Sequence, residues 1–154
     1  MVKQADYEKY MRMALELAAE AAEQGEVPVG CVVADGEGKI LGRGQNRREE
    51  SRLISGHAEL EALDEAARAR GDWRLDDCTL FVTLEPCPMC AGAMISARLG
   101  TLVYGAREPE TGSAASVLNL FEERYPGRTA IVSGVLAAES ETLLRDFFRT
   151  QRKK

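Results

Sequence analysis

Two short segments carry most of the chemistry available to this 154-residue chain: His57-Ala58-Glu59 and Pro86-Cys87-Pro88-Met89-Cys90. Residues three apart on a helix share a face, so Cys87 and Cys90 can aim both sulfurs at one metal ion. His57 is the sole histidine, so any imidazole ligand must be this one. Two thiolates neutralise Zn²⁺, and helix N-termini favour anionic sulfur electrostatically. No fourth protein ligand is evident, because Cys31 and Cys78 fall inside strand-like runs. A zinc ion with three protein ligands keeps a position for solvent and lowers the pKa of a bound water to about 7. Glu59 stands two residues from His57 and is not needed for charge balance. A carboxylate there can take a proton from water, pass it to a ring nitrogen and then to a departing amine. Aromatic amines leave poorly until the ring carbon is tetrahedral and the nitrogen protonated, so the combination suits hydrolytic removal of an amino group from a nucleobase. Two other readings of Cys-x-x-Cys are a redox dithiol and half of a structural zinc site. The first leaves Pro86, Pro88 and His-x-Glu poorly explained, and the second lacks its remaining ligands.

These residues need a frame. Apolar side chains at Tyr7, Tyr10, Met11, Ala14, Leu15, Ala18 and Ala22 follow the spacing of one helix face, predicting a helix over 6–24 stopped by Gly25. Strands are expected at 29–34 and 40–46, joined by the turn Asp35-Gly36-Glu37-Gly38. After a polar loop over 47–56, a helix over 57–70 turns Leu60, Leu63 and Ala67 inward. A strand at 78–84 is broken by Glu85-Pro86, and Pro88 suits the first turn of a helix reaching about 97. A strand at 102–104, a short helix at 116–121, a strand at 130–133 and a closing helix at 137–152 complete the order. Helices between the last three strands favour parallel pairing through right-handed crossovers. The expected fold is a three-layer α/β/α sandwich with a five-stranded mixed sheet, its site where strands give way to helix N-termini. With no repeat or linker in view, residues 1–154 are read as one domain.

Composition narrows the class. The chain carries 20 Lys and Arg against 25 Asp and Glu, a net charge of −5, which argues against a surface that coats nucleic acid generally. The clearest basic patch is the C-terminal stretch 143–154, with Arg145, Arg149, Arg152, Lys153 and Lys154 against the single acid Asp146. It reads either as a helix end whose cations offset the macrodipole or as a nucleic-acid contact. Apolar runs fall far short of the ~18 residues of a membrane span, and residues 1–10 lack an apolar signal core. A cytoplasmic protein without membrane partners or a nucleotide cofactor is the expectation, and four cysteines in such a chain point to metal or catalysis before disulfides.

His-x-Glu with Pro-Cys-x-x-Cys matches the zinc-deaminase signature. Nearly the whole chain resembles the bacterial tRNA-specific adenosine deaminases. The likeness runs through Gly25-Glu26-Val27-Pro28-Val29-Gly30, Asn46-Arg47, Thr83-Leu84-Glu85-Pro86-Cys87 and Met89-Cys90-Ala91-Gly92-Ala93-Met94-Ile95, then Gly105-Ala106-Arg107, Thr111-Gly112, Gly134-Val135-Leu136 and Phe147-Phe148-Arg149. That resemblance implies a cytidine-deaminase-like fold and a homodimer with active sites near the subunit interface. It implies one zinc per subunit held by His57, Cys87 and Cys90, with Glu59 as proton shuttle. It further implies that Asn46 and the Ala58 backbone hold the target base, that Val29 lines the pocket, and that the substrate is the wobble adenosine of a tRNA anticodon loop, converted to inosine. On sequence alone, Asn46 would be a turn residue and Val29 core packing. Three stretches depart from the family pattern: Leu53-Ile54-Ser55-Gly56, Glu110, and Tyr125-Pro126-Gly127-Arg128. Each removes polar or cationic groups suited to RNA, which keeps open a relative acting on guanine, cytosine or a nucleoside by the same hydrolytic chemistry.

Overall fold

The computed structural model describes the backbone of residues 1–152 and the side chains of residues 1–151; Lys153 and Lys154 of the basic C-terminal stretch lie outside the described residues. Among the described residues, five strands form one sheet: β1 (Gly30–Ala34), β2 (Ile40–Gln45), β3 (Thr79–Leu84), β4 (Thr101–Ala106) and β5 (Ala130–Val132). The α-helices are α1 (Tyr7–Glu23), α2 (Arg48–Ser51), α3 (Ala58–Arg70), α4 (Pro88–Ser96) and α5 (Ala137–Arg152). The sheet order is β2-β1-β3-β4-β5. β1 runs antiparallel to both β2 and β3, while β3, β4 and β5 are parallel. The mixed sheet and its hairpin at Asp35–Gly38 match the expectation, with strand ends moved by a residue or two.

Side chains alternate across each strand and so define two cores. Val32, Ala34, Phe81 and Val103 face α1, where Phe81 stacks on Tyr10 and meets Tyr7 edge-on. Cys31, Val33, Leu80, Val82, Leu102 and Tyr104 face the other way, against Ala58, Ala62 and Ala66 of α3 and Cys90 and Met94 of α4. β1 and β4 are buried along their whole length, as interior strands covered on both faces must be. Cys31 and Cys78 are core packing residues, both fully buried.

One contact sets the position of α3. Gly42 and Gly44 of β2 face it, and a Cβ on either would overlap a carbonyl oxygen of the helix, Ala62 O and Ala58 O respectively. The small residues let helix and strand backbones approach closely, and α3 is the element that begins at the His-x-Glu segment.

Two segments differ from expectation. The polar loop over 47–56 contains the short helix α2. The helix expected at 116–121 does not form; only a 3-10 turn at Leu120–Glu122 is present, capped by the Asn119 side chain. Leu120 N–H donates to Ser113 O and Phe121 N–H to the Asn119 side chain, so the helical bonds to Ser116 O and Val117 O do not form, while the Glu85 carboxylate takes the N–H groups of Ala114, Ala115 and Ser116 just upstream.

Candidate active site

Two helix N-termini meet at the strand ends. His57 is the N-cap residue of α3 and Cys87 that of α4, both in extended conformation, and Pro88 supplies the preset φ of the first helical position. Cys90 follows Cys87 on the same face of α4. His57 Nδ1 lies 3.8 Å from Cys87 Sγ and 3.5 Å from Cys90 Sγ. Bond lengths of about 2.3 Å to sulfur and 2.0–2.1 Å to nitrogen at tetrahedral angles place such donors about 3.6 Å apart. The three donor atoms lie within 4.8 Å of one another, the only such cluster among the described residues. The set fits a zinc site with three protein ligands. The fourth tetrahedral direction is the one a catalytic centre keeps for water or substrate.

The electrostatics agree with that chemistry. The Cys90 thiol and His57 both hydrogen-bond Cys87, which outweighs burial and brings Cys87 down to about 4, a thiolate at neutral pH. Cys90 is held well above its ordinary value by sharing the proton with Cys87 and by burial. The same Cys87 contact raises His57. Glu59, on the second residue of α3, is 4% exposed. Burial, with the Cys87 charge nearby, lifts its carboxyl to about 7. An acid poised there can both accept and deliver a proton near neutrality.

Above this cluster opens a cleft of about 590 Å³, within the range of small-molecule sites. Val29, Asn46, His57, Ala58, Glu59 and Cys87 all line it, so the sequence-derived site residues come together, with Cys90 buried just behind. Asn46 Nδ2 donates to Val27 O at 3.2 Å, while its buried Oδ1 has no partner within the chain. A buried amide oxygen without a partner costs free energy, so this atom is suited to a donor from a bound molecule.

Other residues of the cleft were not singled out from the sequence. Glu26, 1% exposed, accepts from the backbone N–H groups of Glu49 and Glu50, tying the α2 rim to the strand entry that carries Val27 and Val29. On the opposite side Glu85, 3% exposed, docks the 108–116 segment. Burial works to raise the Glu85 carboxyl, but the Ser116 hydroxyl and the backbone donors outweigh it and hold it below its ordinary value. The available signal was an acid set inside an apolar run, Glu26-Val27-Pro28-Val29 and Leu84-Glu85-Pro86. Phe147, Phe148 and Gln151 of α5 close a third side. Their distance in sequence from both motifs gave no hint of that placement.

The MafB19-like deaminase family matches residues 5–152. A tRNA-specific adenosine deaminase of Bacillus subtilis (strain 168) is 46% identical over 96% of this chain and 91% of its own length. The solved structure of a tRNA:A34 deaminase, from work on A-to-I editing at the wobble position of transfer RNA, superposes with a TM-score of 0.84 at 36% identity, covering 88% of this chain and 99% of that one. Guanine deaminase from Nitrosomonas europaea superposes at 0.80 with 25% identity, over 91% of this chain and 83% of its own.

Proposed function

The chain belongs to the deaminase family and to its tRNA-specific adenosine deaminase branch, and from that premise we propose that it hydrolyses the wobble adenosine of a tRNA anticodon to inosine. The observation that carries this reading is the convergence of His57, Cys87 and Cys90, at 3.5 and 3.8 Å, on the floor of a cleft that also holds buried Glu59. We assign the three as ligands of one zinc per subunit. When bound, zinc supplies Lewis-acid activation of the attacking water.

The chain's own residues do the rest. Glu59, near 7, takes one proton at its carboxylate from the attacking water and delivers it to the purine ring nitrogen, where it stays. It then takes the second proton from the hydroxyl now on the ring carbon and delivers it to the amino group, which leaves as ammonia as the carbonyl forms. Asn46 Oδ1 and the Ala58 backbone hold the base, and Val29 packs against it within the cleft. An adenosine reaches this depth only when unstacked from its neighbours, which a loop nucleotide does at small cost. The exposed Arg149 side chain stands on α5 beside Phe147 and Phe148, where a cation can meet phosphates flanking the base. The reaction runs in the cytoplasm, where bacterial tRNA is modified. No helix among the described residues is long and apolar enough to cross a membrane.

We also propose that residues 1–154 act as one domain in a homodimer. A groove lined by Leu60, Leu63, Ala67, Ala93 and Ala97, with Trp73 52% exposed beside it, offers a second copy an apolar surface bordering the ligand-bearing helices. Light scattering on the Trp73→Arg variant, expected to be monomeric, checks that contact.

The function is tested by incubating zinc-loaded protein with an adenosine-wobble anticodon stem-loop, free adenosine, guanine and cytosine, and measuring inosine and ammonia. Inosine in the stem-loop is the expected product. Ammonia from guanine or cytosine alone would replace this reading with a free-base deaminase. That outcome would match the exposed apolar Leu53 and Ile54 and the acid Glu110, where the resemblance leads one to expect groups for RNA.

A further inference from the structure

Among the described residues Glu85 is the most heavily hydrogen-bonded carboxylate, and it has no part in the chemistry above. Its Oε1 accepts from the Glu108 N–H at 3.1 Å and from the Ser116 hydroxyl. Its Oε2 accepts from the N–H groups of Ala114, Ala115 and Ser116 at 3.1, 2.8 and 2.9 Å. Three successive backbone donors turned onto one oxygen make an anion nest, and here the anion is a side chain of the protein itself. A second observation is independent of these bonds. Gly112 lies so close over the carboxylate that a Cβ there would overlap Glu85 Cδ and Glu108 O. The Ser113 N–H adds a bond to Pro86 O at 2.8 Å, one residue before Cys87. The 108–116 segment is therefore seated on the Glu85-Pro86 turn, and it brings Glu108 and Thr111 to the cleft.

We propose that Glu85 is a positioning residue: by seating the 108–116 rim it shapes the wall of the cleft that grips the substrate around the reacting base, and so sets KM rather than the chemical step. This rests on the tRNA deaminase reading for its substrate. The carboxylate is specifically required, because all five partners are donors. Glutamine has the same shape, but its amide places two more donors against them. Aspartate is one methylene too short to reach both sets.

The test compares wild type, Glu85→Gln, Gly112→Ala and the double variant, all zinc-loaded. On an anticodon stem-loop, Glu85→Gln is expected to raise KM about tenfold or more with kcat changed less than about twofold, the pattern of lost uniform binding. Zinc content should stay at the wild-type level, and amide exchange at Ala114, Ala115 and Ser116 should accelerate. Gly112→Ala keeps the carboxylate but blocks the seat, so it should reproduce the KM rise, and the double variant should be no worse than either single one. Unchanged KM in Glu85→Gln overturns the proposal, as does a fall of zinc content and kcat together with KM intact, or additive losses in the double variant. Wild type inactive on the stem-loop would strike the tRNA reading alone; amide exchange then decides whether Glu85 seats the rim.

Discussion

His57 Nδ1 stands 3.5 Å from Cys90 Sγ although 33 residues separate them. A loop of that length gives no reason for two such side chains to meet. They meet because β2 and β3 run in the same direction and α3 and α4 both start beyond the C-terminal ends of those strands, at one end of the sheet. The positive ends of two helices then surround two sulfurs that must be anionic to bind metal. The cluster is thus held by helix placement, and on the proposed reading an ion bound there would add stability to the fold.

His57→Ala should therefore lose zinc and stability together. Wild type treated with a chelator should melt at a lower temperature than the zinc-loaded protein, whereas the variant should show little chelator response. Metal analysis and thermal melts with and without chelator check this. A variant that keeps stoichiometric zinc would remove His57 from the ligand set.

Glu59→Gln should separate metal from catalysis. The amide preserves volume but cannot carry the proton, so kcat is expected to fall by about 10²–10⁴-fold, the usual size of a general acid–base contribution. Zinc content should remain at the wild-type value, because Glu59 is not one of the three clustered donors. Loss of metal in step with activity would make Glu59 a ligand instead.

The residues proposed as ligands and shuttle stood out in the sequence because their spacing is local: His-x-Glu and Cys-x-x-Cys each fit within one helical turn. The strands were legible because Val29–Ala34 and Cys78–Leu84 are apolar runs bounded by turn residues. The helix expected at 116–121 failed for a non-local reason. Nothing in those residues reveals that Val117 N–H bonds Gly112 O, that Leu120 N–H bonds Ser113 O, or that a carboxylate 29 to 31 positions earlier fixes residues 114–116 just ahead of them. Glu26 and Glu85 escaped notice for the same cause, since an acid looks solvated until its donors, supplied by distant backbone, are known. The apolar pair Phe147-Phe148 entered the sequence reading only within the family likeness, and its place at the cleft, with Phe148 45% exposed, depends on how α5 packs.

Acid should reveal the Asp77–Arg70 pair. The Arg70 hydrogen bond, aided by the Gly36 N–H, draws the Asp77 carboxyl down to about 2 against burial. A carboxyl with a folded pKa below its unfolded value of about 3.9 stabilises the fold above that value. The contribution disappears as pH falls through about 2. Asp77 is 48% exposed, so solvent screening limits the gain to about 0.5–1 kcal/mol. Urea titrations should find Asp77→Asn less stable than wild type by that amount at pH 7, with the gap closing by pH 2. A gap that persists at pH 2 would assign the effect to packing rather than charge.

Gly44→Ala tests whether helix placement governs the site. A methyl group there has no room, because it would overlap the Ala58 carbonyl and crowd Ala62 N. Neither obstacle is a side-chain end that can swing away, so α3 must be pushed off β2. Overpacking of this kind costs about 1–3 kcal/mol. Ala58 lies between His57 and Glu59, so the displacement is delivered to the proposed ligand and the proposed shuttle at once. The variant should show weaker zinc affinity in a competition titration and a lower kcat, beyond its loss in urea stability. By contrast, a loss of stability with zinc affinity and kcat both unchanged would mean that the first turn of α3 is held by the metal and the cleft, and not by its glycine-lined seat on the sheet.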